Sequence, residues 1–119
     1  MSDDEFDEYL EAFDTAYDAM RDVALLANTT PRITPLVLYQ ALGNVRAAIG
    51  ALTEALPSLA RAARAGAEQL DLYDSDGHDP QQQLTDALHT LEDATRTAHQ
   101  LLAQLDSAQS KIGSVGYRS

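Results

Sequence analysis

Several things are scarce in this 119-residue chain, and each scarcity excludes something. There is no cysteine, so neither disulfides nor thiolate metal sites are available, which fits a reducing compartment. There is no tryptophan and there are only two phenylalanines, a poor endowment for a strand-built sandwich and an acceptable one for close-packed, alanine-rich helices. Lys111 is the single lysine beside seven arginines, and those arginines form no cluster. Direct nucleic-acid or anionic-membrane binding, which needs a concentrated basic footprint, is therefore not expected. No apolar run reaches the length of a membrane span, and the opening Met-Ser-Asp-Asp-Glu has no basic region ahead of an apolar core. A soluble, unprocessed, cytoplasmic protein is the expectation.

What is present is helical periodicity, three times over. Leu38, Leu42, Val45, Ile49, Leu52, Leu56, Leu59, Ala63, Gly66 and Leu70 alternate steps of four and three residues, a heptad seam that stays on one side of a slightly supercoiled helix. The seam keeps its phase across Pro57. This predicts one long helix over 35–72, kinked where the ring crowds the preceding turn, in preference to two helices meeting there. Thr34 and Pro35 form its start. An earlier helix over 3–27 carries Phe6, Leu10, Phe13, Tyr17, Met20, Ala24 and Ala27 at the same spacing, opened by a capping box of Ser2 and Glu5. A third, over 80–112, carries Leu84, Leu88, Leu91, Thr95, Ala98, Leu102, Leu105, Gln109 and Ile112, with Asp79 as cap, Pro80 at the first position and Gly113 at the end. The expected fold is all-α: an antiparallel up-down-up three-helix bundle with coiled-coil-like seams, one domain over 1–112 and a short flexible tail over 113–119.

The seams hold two polar residues. Thr95 and Gln109 are each expected to bond a backbone carbonyl, or to reach water near the helix end.

Charge is unevenly spread over a net −11. Residues 1–27 hold nine acids against Arg21. Asp7 with Glu11, Asp14 with Asp18 and Asp18 with Asp22 are like-charge pairs four apart, each costing about 0.2–0.5 kcal/mol in an isolated helix. Two things can offset that cost. Internally, an antiparallel hairpin brings Arg46 toward Asp14 and Asp18, and Arg61 and Arg64 toward Asp3 and Asp4. Externally, Asp7, Glu11, Asp14 and Asp18 face a basic partner.

Chemical constellations are sparse. Asp74, Asp76, His78 and Asp79 have the look of a calcium loop, but counting from Gly77 the first and closing ligand positions fall on Leu72 and Gln83. A solvated acidic turn fits better. Asp86 and His89 have the i, i+3 spacing of di-metal bundles, yet lie on the face opposite Leu84, Leu88 and Leu91. No nucleophile elbow, phosphate loop or zinc pattern occurs, so neither enzymatic activity nor a cofactor is expected.

Gly43 and Gly50 stand one heptad apart. Glycine inside a helix costs about 1 kcal/mol against alanine, so the pair on the outward side of the second helix is read as a close-approach surface for a homodimer, formed there or through the two-helix projection that the shorter first helix leaves uncovered over 60–92. The functional expectation is a helical adaptor or assembly protein acting through protein–protein contact. The alternative is an acidic inhibitor that mimics nucleic acid for a basic protein.

Overall fold

The computed structural model describes residues 6–118. They form three α-helices and, among the described residues, no strand: α1 over Asp7–Thr29, α2 over Pro35–Ala67 and α3 over Pro80–Ile112. This is the all-α class the three seams predict. The described residues fall into two compact units, divided between Thr34 and Pro35.

In the first unit, α1 has no buried residue. The proposed cap of Ser2 with Glu5 lies outside the described residues. Phe6 precedes the helix and makes no side-chain cap bond. At the other end Thr29 Oγ1 donates to the Leu25 carbonyl at 2.9 Å, and the backbone N–H of Thr30 closes on Leu26 at 3.0 Å. Tyr9 and Phe13 stack at a tilt with centroids 5.3 Å apart, and the Arg21 guanidinium lies 5.8 Å from the Tyr17 ring. Such i, i+4 contacts contribute a few tenths of a kcal/mol each.

The second unit is an antiparallel helical hairpin. Pro35 opens α2, its missing N–H falling where a helix has no partner for it. Pro57 interrupts nothing: the helix runs through it. It ends at Ala67, five residues short of the predicted limit, because the chain tightens there, Gln69 N–H bonding the Gly66 carbonyl at 3.1 Å and Leu70 that of Ala67 at 3.4 Å. Asp79 caps α3 by accepting the N–H of Gln81 at 3.0 Å, with Pro80 at its first position. The Gln82 side chain donates to Asp86 at 2.8 Å. Between the helices Gly77 adopts φ +83°, closing a turn in which its N–H bonds the Asp74 carbonyl.

The hairpin core is thin: Ala60, Leu88 and Ala98 are its buried hydrophobic residues, joined by Thr53 and Gln109. On α3 the residues turned inward are the predicted seam, from Leu84 to Ile112, without exception. On α2 the match is partial. Leu38, Leu42, Val45, Ile49, Leu56, Leu59 and Gly66 are partly covered as predicted, but Thr53 and Ala60 beside the seam are the residues buried, whereas Leu52 remains 41% exposed. The physical reason is that α2 carries two apolar stripes side by side. Its small residues let α3 come close, and Ala60 borders Leu91 and Thr95 of α3.

Candidate functional site

The hairpin has two unlike sides. On one, the helices are tied by ion pairs, Arg46 with Asp106 at 2.9 Å and Arg64 with Glu92 at 3.1 Å. Both pairs are exposed enough that each contributes about 0–1 kcal/mol, but they fix register. An open cleft of about 510 Å³ runs along this side, with Gly43, Arg46, Ala47 and Gly50 on α2 and His99, Leu102, Ala103 and Asp106 on α3.

Gln109 locks the same region. Its Nε2 donates to the Tyr39 carbonyl at 3.1 Å, and its Oε1 accepts from Arg46 at 2.6 Å. A buried amide with both ends bonded is tolerable where an unpaired one is not. The geometry also corrects the placement of Gly43. A Cβ there would stand 2.8 Å from Gln109 Nε2, so this glycine faces α3, not outward. Being four residues after Tyr39, it clears the path by which the amide reaches that carbonyl. Gly50 borders the same cleft, and a Cβ on it would meet nothing within 4 Å. The sequence signal for this network was a glutamine in a seam position; its partners Arg46 and Tyr39 carried no signal of their own. Thr95 donates to the Leu91 carbonyl at 3.0 Å, as expected.

The other side of the hairpin is apolar. The register set by the two ion pairs puts Val45 level with Ala108, Leu52 with Leu101, and Leu59 with Ala94, at heptad intervals along the flank away from those pairs. Ala41, Ala48, Ala55 and Ala62 accompany them on α2, and Ala87 continues the α3 row. None of these residues is charged. Leu52 and Leu101 are each 41% exposed. Asp86 and Asp93 precede Ala87 and Ala94 on α3 and are exposed, and Asp93 is bonded by Arg96. The α3 half of this face was missed in the sequence, because the strong Leu84 to Ile112 seam beside it hides a row of alanines.

On α1 the apolar arc and the acidic face both stand open. Phe6, Leu10, Phe13, Tyr17 and Met20 are all exposed. Asp7, Glu11, Asp14 and Asp18 share the opposite face, and among the described residues no acid of α1 enters an ion pair. Within the second unit Arg46 is engaged by Asp106 and Gln109, Arg64 by Glu92, and Arg61 by the Ser58 hydroxyl at 3.1 Å. Asp3 and Asp4 lie outside the described residues.

Asp74, Asp76 and His78 present ligand atoms within 4.8 Å of one another. The cluster satisfies itself: Asp74 accepts the Asp76 N–H at 3.1 Å through one oxygen and lies 3.0 Å from His78 Nδ1 through the other. Asp79 is occupied as the cap of α3. Asp86 and His89 are exposed on the outer face of α3, as their phase requires.

Among the described residues no helix is long and apolar enough to cross a membrane. No protein-family model matches the chain, and neither a curated protein nor a solved structure matches it.

Proposed function

We infer that this chain is a non-enzymatic helical protein–protein interaction protein, an adaptor or assembly subunit, in which α1 is an element that reaches a partner. The observation that carries this reading is the state of α1: a 23-residue amphipathic helix with no buried residue, whose acids have no ion-pair partner among the described residues. An amphipathic helix draws most of its stability from packing its apolar arc against something. The partner that fits is a protein surface with an apolar floor for Phe13 and Tyr17 and basic rims for Asp7, Glu11, Asp14 and Asp18. Coiled-coil-like contacts, a cytoplasmic setting and self-association belong to the same reading, and nucleic acid and membrane do not.

The acidic ridge also supports the second reading, an inhibitor that occupies the nucleic-acid groove of a basic protein. Co-purification from native lysate separates the two. For the adaptor, Phe13→Ser with Tyr17→Ser abolishes capture at low and high salt. For the mimic, Asp14→Asn with Asp18→Asn abolishes it, and capture by the wild type falls steeply with ionic strength. If both double variants capture the same proteins as wild type, α1 is not the docking element.

A further inference from the structure

The turn between α2 and α3 carries a reactive backbone position. An aspartate carboxyl can close on the backbone nitrogen of the next residue as a five-membered cyclic imide when that nitrogen bears a hydrogen, the carboxyl is free to swing, and the next residue leaves room. These conditions sort the aspartates of the chain. Asp7, Asp14, Asp18 and Asp22 lie in α1, and Asp86, Asp93 and Asp106 in α3, where the helix holds the backbone angles that closure has to change. Outside the helices, Asp79 precedes Pro80, which has no N–H, and Asp71 precedes the bulky Leu72. Asp74 is held at both oxygens, by the Asp76 N–H at 3.1 Å and beside His78 Nδ1 at 3.0 Å.

Asp76 meets every condition. Its exposed carboxylate enters no hydrogen bond or ion pair among the described residues. The next residue is Gly77, at φ +83° and with nothing within 4 Å of the place a Cβ would take. The sequence has no other Asp-Gly pair and no Asn-Gly pair. We propose that the Asp76 to Gly77 linkage is a site of backbone isomerisation to isoaspartate, and that Asp74 restrains the reaction.

The Gly77 nitrogen attacks Cγ of the protonated Asp76 carboxyl. A C–N bond forms, and the Gly77 N–H proton leaves with the carboxyl hydroxyl as water. Water then opens the ring. Breaking the nitrogen's bond to Cγ restores aspartate. Breaking its bond to the Asp76 main-chain carbonyl carbon routes the chain through Cβ and Cγ, one methylene longer, and leaves a carboxylate on Cα. Nothing is oxidised or reduced, and the mass is unchanged. The restraint is geometric: attack requires the Gly77 N–H to leave the Asp74 carbonyl, to which it is bonded at 3.0 Å, and the Asp74 carboxylate braces the same turn through Asp76 and His78. The added methylene falls inside that turn, so isomerisation dismantles it.

Prolonged incubation of the full chain at physiological temperature and neutral pH tests this, with isoaspartate located by peptide mapping and electron-transfer fragmentation. Isoaspartate should accumulate at position 76 and not at Asp71, Asp74 or Asp106. Asp76→Glu, whose longer side chain would need a six-membered ring, should show none there. Asp74→Ala should raise the rate at 76 roughly fivefold, the factor by which losing one typical hydrogen bond shifts opening of the turn. Helical circular dichroism, unchanged in both variants, separates these results from unfolding. A wild type with no more isoaspartate at 76 than at 71 overturns the site, and an unchanged rate in Asp74→Ala overturns the restraint. Neither result touches partner capture through α1, which Phe13→Ser with Tyr17→Ser tests separately.

Discussion

Gln109 Nε2 reaches the carbonyl of Tyr39 across the place where a side chain at Gly43 would stand, 2.8 Å from a Cβ built there. One glycine is thereby tied to one interhelical hydrogen bond, and the other glycine of α2's cleft is not.

The contrast between Gly43 and Gly50 is the first prediction. Alanine gains about 1 kcal/mol over glycine inside a helix. At Gly50, where nothing lies within 4 Å, Gly50→Ala should raise the melting temperature by the full gain. At Gly43 the methyl displaces the Gln109 amide from bonds worth about 1 kcal/mol each and leaves a buried polar group short of partners. Gly43→Ala should therefore lower stability by about 1 kcal/mol. Thermal melts of the two variants check this, and equal shifts would mean that Gln109 moves aside without loss.

Removing the amide itself should give a similar result. Gln109→Ala leaves the Tyr39 carbonyl without its second donor and Arg46 with Asp106 alone, for an expected loss of about 1–2 kcal/mol in urea denaturation. The double variant with Gly43→Ala should lose much less than the sum of the two single losses, because both act on one contact.

Packing and linker chemistry should separate cleanly. Leu88 is 5% exposed, so Leu88→Ala should cost about 2–4 kcal/mol. Asp76→Asn should cost almost nothing, and millimolar calcium or zinc should leave the melting temperature unchanged, since the Asp74 carboxylate is already bonded on both oxygens. A rise in melting temperature with either ion would establish the Asp74, Asp76, His78 turn as a site.

The acidic face of α1 should behave as an uncompensated charge ridge. Asp14→Asn with Asp18→Asn removes like-charge pairs worth roughly 0.2–0.5 kcal/mol each, so helical circular dichroism of the chain should rise slightly at low salt and not at high salt. A fall in helicity instead would reveal a cation that these acids hold.

Helix number, type and most boundaries were legible because they rest on local signals. Pro35, the Asp79 with Pro80 pair and Gly113 mark ends through their own backbone constraints. The Leu84 to Ile112 seam is a single stripe on an otherwise polar helix, so periodicity alone names its inward face. For α2 the same reasoning found the covered side but missed that Thr53 and Ala60, one position from the seam, are its most buried residues. A helix apolar on two adjacent stripes has two equally good heptad readings, and the choice between Leu52 and Thr53 depends on which stripe α3 can approach more closely. The end of α2 at Ala67 was likewise not legible, since the apolar pattern continues to Leu70 after the backbone has turned.

The sequence by itself determined that the chain is all-α in three helices, where α2 and α3 begin, and that α1 concentrates acid opposite an apolar arc, because capping, proline geometry and the period of 3.5 act within a few residues of where they are written. Only the tertiary structure decided that small residues at Gly43, Thr53 and Ala60 face α3, that Arg46 serves Asp106 and Gln109, and that Leu52 and Leu101 share an open apolar side. Those outcomes depend on the register of one helix against another, set by side chains some sixty residues apart in the chain, and no local period encodes that distance.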